Sequence, residues 1–320
     1  MEISENSLLK RLARFGRRGG DIDRGIGDDG AVVSLSEGSY VFVQDALVEG
    51  VHFDLKFQRP FDVGKKAVYV NVSDVLAMGG EPLYFLVTLG VPARTAVSTI
   101  EELYRGMSRG ASEFRASLVG GDTTEARQFF VDLSMTGRLV TREYLGRDKA
   151  RTNDLIGVTG SLGEAAYGLW LLKEEPSMRP NRFTRRYTSP RPPYNAWKAL
   201  VKAGLPRAMM DVSDGLMIDL ERMMEASGKS AVVHMERLPI PSALVKDGKE
   251  RFALAGGEDY QFLFTFDRTR IAEVEALKRG GVSLSVIGEV ASGRGVRLMD
   301  RGRERKVAVK GYEHFGRKVL

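Results

Sequence analysis

Apolar and polar positions along this chain follow two periods, and the switches between them mark its elements. Within FDVGKKAVYVNVSDVLAMGG (61–80) apolar residues fall at 63, 67, 68, 70, 72, 75 and 76, which predicts a helix ended by Gly79 and Gly80. Short runs rich in β-branched and aromatic residues predict strands at AVVSL (31–35), YVFVQDAL (40–47) and LYFLVTLGV (83–91), the first two joined by a turn at Glu37–Ser39. Residues 98–115 predict a second helix and FFVDLSMTGRLV (129–140) a further strand. GRDKART (146–152) then breaks the pattern before a new strand, LIGVTG (155–160). Beyond it come predicted helices at 163–172, 194–203, 216–226 and about 269–279, and strands at 231–235, 260–266 and 283–290. A Pro/Arg-rich loop fills 176–193. Such alternation predicts an α/β (α+β) fold of two domains with mixed sheets, 1–146 and 147–320. MEISENSLLKRLARFG at the start reads as a short amphipathic helix, because Lys10, Arg11 and Arg14 interrupt its apolar positions and exclude a signal peptide.

Composition narrows the chemistry. The 320 residues suffice for two cores, and no apolar run approaches the ~20 residues of a membrane span. With no cysteine there is no disulfide, thiolate metal site or cysteine nucleophile. Only His52, His234 and His314 offer imidazoles, which argues against a zinc cluster and leaves oxygen ligands for any metal. These features point to the cytoplasm. A net charge of +6 raises the question of nucleic acid, but outside 179–193 and 301–306 the basic residues are scattered. Neither stretch lies in a known nucleic-acid-binding pattern, so the charge reads as solvated surface.

Against that basic background, six segments carry carboxylates among small or glycine residues. They are GIGDD (Asp28, Asp29), QDALVEGVHF (Asp45), NVSD (Asp74), GGDTT (Asp122), DVSDG (Asp211, Asp214) and GGEDY (Glu258, Asp259). Such segments suit turns where several carboxylates approach small, hard cations, and a multi-magnesium site most often handles phosphoryl groups. GIGDDG formally matches a dinucleotide fingerprint, but it precedes the strand AVVSL rather than a helix, and its aspartates would repel a pyrophosphate. Other readings stay open elsewhere. Asp74, inside an apolar helix, could pair with Lys65 or Lys66. One aspartate of DVSDG could cap the following helix. GSLGEAAYG (160–168) could be a packing turn or a phosphate contact, and His52 could be structural or line a site.

Taken in order, GIGDD, DALVEGVHF, VNVSDVLAMG, GGDTT, VTGSLG, DVSDGL and GGEDY resemble the thiamine-monophosphate kinase family, of the superfamily that includes aminoimidazole ribonucleotide synthetase. The resemblance runs from about residue 5 to KGYEHF (310–315). It implies ATP-dependent phosphorylation of thiamine monophosphate to thiamine diphosphate on several magnesium ions. It implies an N-terminal domain that dimerises through its sheet and a C-terminal α/β domain closing over the substrates. By motif position Asp29, Asp45, Asp74, Asp122, Asp211 and Asp214 would hold magnesium. Tyr104, Gly121, Asp122, Arg147 and Ser213 would contact ATP, and His52, Glu258 and Tyr312 the thiamine substrate. Two places depart from the family. Val43 and Gln44 stand where a hydroxyl residue is common before Asp45, and RRYTSPRPP (185–193) has Tyr187 for a histidine and Pro193 for an arginine.

The chemistry is consistent with this set. An acceptor phosphate is mostly a dianion at neutral pH, so it needs positioning and charge neutralisation more than a general base. Direct transfer without a catalytic side chain or phosphoenzyme is expected, with no nucleic-acid or membrane partner. The rivals are another ATP-dependent member of the superfamily and a non-catalytic magnesium-dependent nucleotide-binding regulator. Selenophosphate synthesis is disfavoured by the missing N-terminal cysteine.

Overall fold

The computed structural model describes residues 22–24, 31–35, 38–305 and 311. Its first sheet has six strands in the order β1-β2-β3-β6-β4-β5. These are β1 (Ile22–Arg24), β2 (Ala31–Leu35), β3 (Gly38–Val48), β4 (Gly80–Val91), β5 (Ser117–Glu125) and β6 (Phe130–Leu139). All neighbours are antiparallel except β4 and β5. Strand alternation puts Val41, Val43 and Leu47 of β3, and Val131, Leu133 and Met135 of β6, on one buried face. Helices α1 (Pro60–Ala77) and α2 (Val97–Ser112) belong to the same core. They approach closely because glycines meet backbone: a Cβ at Gly64 would lie 2.0 Å from Leu103 O, and one at Gly106 2.0 Å from Phe61 O.

A second, seven-stranded sheet has the order β13-β12-β9-β11-β7-β10-β8. Its strands are β7 (Leu155–Thr159), β8 (Met209–Asp211), β9 (Ser230–His234), β10 (Phe262–Phe266), β11 (Leu284–Ala291), β12 (Gly295–Asp300) and β13 (Arg303–Arg305). Its helices are α3 (Glu164–Glu174), α4 (Arg182–Thr188), α5 (Tyr194–Lys202), α6 (Leu216–Ser227), α7 (Ser242–Lys246), α8 (Arg251–Ala255) and α9 (Ile271–Arg279). Only β9 and β12 run parallel, so both sheets are mixed, as the sequence predicts.

The two halves share apolar core. Trp197 and Leu200 of α5 and Phe262, Phe264 and Phe266 of β10 join the cluster built on α1. Trp197 Nε1 donates to Leu76 O at 2.6 Å. Helix α1 is therefore enclosed on nearly every side, which explains why its apolar residues are not confined to one stripe.

Beyond short elements such as β8, α7, α8, β12 and β13, which the pattern does not predict, two segments differ from the sequence expectation. GGDTT is not a turn but the middle of β5, whose edge position tolerates glycine; at Gly121 a Cβ would meet Val87 O at 2.0 Å. Within the supposed loop 176–193 lies α4, started by a capping box in which Asn181 and Thr184 satisfy each other's backbone N–H.

Candidate active site

Four of the carboxylate segments meet where α1 faces the second sheet. Ser73 on α1 donates its hydroxyl to Asp211 Oδ2 at 2.5 Å, joining the halves at the buried end of β8. The DVSDG and GGEDY segments are strapped together by backbone: Glu258 N to Ser213 O at 2.7 Å, Tyr260 N to Val212 O at 2.9 Å, and Val212 N to Gln261 O at 2.8 Å. Glu258 and Tyr260 have φ of 69° and 46°, left-handed values that a non-glycine residue keeps only where its surroundings enforce them. The buried Tyr260 phenol is pushed well above its ordinary pKa, first by burial and then by the charges of Glu258, Asp45, Asp211 and Asp74.

The turn after β8 answers the question of the helix cap. Gly215 is the N-cap of α6 and no side chain caps there; instead Asp219, from the first turn, accepts from Asp214 N and Gly215 N at 3.0 Å each. Asp219 is fully buried, and burial followed by the nearby Asp214 charge pushes its carboxyl up to about 7. Arg222 bridges Asp214 and Asp219. The positive charge of Arg147 is felt at Arg222, and the Arg147 carbonyl accepts from Ser227 Oγ at 2.9 Å, which places Arg147 along α6. Gly311 packs on this turn, where a Cβ would lie 2.4 Å from Ile218 Cγ2 and 2.6 Å from Asp214 O. Tyr312, Asp28 and Asp29 lie outside the described residues.

At the other end of α1, His52 Nδ1 accepts from Val48 N at 3.1 Å, so the ring is held against its own turn. Lys66, offered by the sequence as a partner for Asp74, pairs with a GGEDY carboxylate, its Nζ 2.7 Å from Glu258 Oε1, and Lys65 pairs with Glu113 at 3.5 Å. Burial pushes the Glu258 carboxyl up and the Lys66 ammonium down, each opposed by its partner.

Asp122 and Tyr104 stand apart from this centre. Ala46, Asp132, Thr88 and Asp122 are paired in a row across β3, β6, β4 and β5. That row puts Asp122 about 14 Å from β3, at ~4.8 Å per strand, and on the open face of the sheet, whereas Asp45 alternates to the helix side. The Gln44 amide also faces the open side and donates to Asp132 Oδ2 at 2.7 Å, so Gln44 does not turn its side chain towards Asp45. Tyr104 lines a groove of about 780 Å³ between α2 and β5, with Glu101, Arg105, Ser112 and Leu118. From Leu118 the exposed strand β5 leads to Gly121 and Asp122.

The glycine-rich turn before α3 is already occupied: Gly163 N and Ala165 N both donate to the buried Asp259 carboxylate. A phosphate there would meet an internal anion, which leaves the packing reading. Burial pushes Asp259 up to about 7 despite those two N–H groups. Arg191 is committed to Glu113 at 2.7 Å and lies over Phe114, tying the 176–193 segment to α2.

Sequence reading missed Lys66, Ser73, Tyr187, Asp219 and Tyr260 as site residues. Lys66 and Asp219 carry a legible signal, since each stands three residues after an apolar position on a helix stripe, at Val63 and Leu216. Among the described residues no three Asp, Glu or His side chains form a ready-made metal cluster. The donor set is nonetheless all carboxylate, and magnesium keeps several waters and uses one or two carboxylates together with substrate phosphates. Carboxylates contributed singly by several segments fit that habit.

Comparison with known proteins agrees with this architecture. Residues 27–139 match the N-terminal domain of AIR synthase related protein, and residues 153–301 match its C-terminal domain. Thiamine-monophosphate kinase of Bacillus subtilis is 35% identical over 92% of this chain and 94% of its own, and that of Aquifex aeolicus is 35% identical over 91% and 92%. The solved structure of AaThiL complexed with AMPPCP and TMP superposes with a TM-score of 0.86 at 33% identity, covering 98% of each chain.

Proposed function

This chain belongs to the thiamine-monophosphate kinase family of AIR synthase related proteins, and from that premise we propose that it transfers the γ-phosphoryl group of ATP to thiamine monophosphate, giving thiamine diphosphate and ADP. The observation that carries the reading is the junction of the two halves, where Ser73 beside Asp74 on α1 binds Asp211 and backbone bonds strap DVSDG to GGEDY, with the charges of Asp45, Asp74, Asp211 and Glu258 all acting on the buried Tyr260.

The Tyr104 groove would take the nucleoside, with Gly121 and Asp122 along β5, Ser213 beside the GGEDY strap and Arg147 on the α6 flank following the phosphates. Asp45, Asp74 and Asp211, with Asp29, Asp122 and Asp214, would hold Mg²⁺, which when bound neutralises the nucleotide and acceptor phosphates. His52, Glu258 and Tyr312 would hold the thiamine end. Asp214 is already neutralised by Arg222, so it contributes least to the metal set. The side chains supply orientation and charge, and the acceptor phosphate is itself the nucleophile, so transfer is direct and no residue is phosphorylated.

The active unit we propose is a homodimer formed through the open face of the first sheet. Phe42, Tyr84 and Leu86 are 43–53% exposed there, and among the described residues β5 presents an unpaired strand edge. Asp122 stands on that face, so the second copy would complete its surroundings.

An acceptor panel tests the assignment. With MgATP, the protein should release ADP with thiamine monophosphate and not with unphosphorylated thiamine or no acceptor. ADP release independent of acceptor, or none with any acceptor, contradicts it.

A further inference from the structure

Lys66 is buried completely, and no other lysine or arginine among the described residues is so enclosed. A buried ammonium is costly unless each of its donors is used. Here all three are. Nζ lies 2.7 Å from Glu258 Oε1, donates to His52 O at 2.7 Å, and stands 4.3 Å from the centre of the Tyr187 ring. Tyr187 also donates its hydroxyl to the same His52 carbonyl at 3.4 Å. Four separate segments therefore converge on one charge: α1, the turn after β3, the GGEDY loop and α4.

Two of those segments carry His52 and Glu258, the groups assigned to the thiamine end. We propose that Lys66 is a positioning residue for the acceptor, fixing the Glu258 carboxylate and the His52 turn together across the two halves of the chain; this rests on the functional reading above. Glu258 uses Oε1 on Lys66 and keeps 22% of its side chain exposed, so the ammonium aims the carboxylate rather than hiding it. The left-handed backbone at Glu258 needs such an external hold. Bulk packing alone would not require the charge, because an apolar side chain of similar volume usually serves a core as well or better.

The test is a double-mutant cycle on Lys66→Met and Glu258→Gln, read by steady-state kinetics for each substrate. Lys66→Met should raise KM for thiamine monophosphate about tenfold or more and leave KM for ATP within about twofold. In the Glu258→Gln background the same substitution should cost about threefold or less, since only the His52 carbonyl is left to hold. Should Lys66→Met fail to fold, the double variant, which buries no unpaired charge, is compared with Glu258→Gln alone against the same threefold limit. A rise in KM below tenfold for Lys66→Met, an equal rise for both substrates, or a cost above threefold in the Glu258→Gln background overturns the proposal. Wild-type protein that turns over no thiamine monophosphate overturns the functional reading itself, a result distinct from an active enzyme indifferent to Lys66.

Discussion

Ser73 and Asp74 are neighbours on α1 with different work: the hydroxyl holds Asp211, while the carboxylate joins the charges felt at Tyr260. Asp74→Asn or Asp211→Asn should lower kcat about 10²-fold, the scale of losing one preorganised electrostatic element. Asp214→Asn should cost less, because Arg222 already neutralises that carboxylate; equal losses at all three positions in kcat measurements would contradict the ranking. Asp259 sets a pH dependence of stability. Its carboxyl titrates near 7 in the fold against an ordinary 3.8. Between those values the folded protein keeps a proton that the unfolded chain has released, so stability from this group is full below pH 3.8 and is lost as pH rises through about 7. Asp259→Asn should flatten the fall of melting temperature from pH 4 to 7, and an unchanged slope would show that other groups cause it.

Among elements, those with strong periodicity were legible: α1, α2, β3, β4 and β6 follow the apolar pattern closely because each buries one face or all of itself. Edge strand β5 was not, since all nine of its residues are exposed and two adjacent glycines mimic a turn. Helix α4 was hidden by the prolines and arginines around it, and its capping box at Asn181 was the overlooked signal. Of the candidate site, the carboxylate motifs were readable as motifs, but their partners were not. That Asp219 rather than Asp214 folds back onto the turn, and that Lys66 spans to Glu258, depends on which segments the fold brings together. At Gly121 the close approach makes its own prediction. Gly121→Ala would push a methyl group onto Val87 O and separate β5 from β4. ATP affinity should fall with that displacement while thiamine monophosphate binding changes little; calorimetry showing unaltered ATP affinity would remove β5 from the nucleotide site.

At the scale of the whole molecule, the proposed site draws on both halves of one chain and, through Asp122, on the open face of the first sheet. Leu86→Lys should turn the proposed dimer into a monomer in sedimentation velocity and lower turnover more than about tenfold, because Asp122 and Asp45 stand on opposite faces within a single chain. A wild-type protein that sediments as a fully active monomer would contradict this. The central claim is phosphoryl transfer from ATP onto a phosphate acceptor, and a labelled single turnover reads it most directly. With ATP labelled at the γ-phosphate, thiamine monophosphate and Mg²⁺, the account predicts one equivalent of label in thiamine diphosphate per ATP consumed and none on the protein. Label released as inorganic phosphate without thiamine diphosphate, or label trapped on the protein, would contradict it.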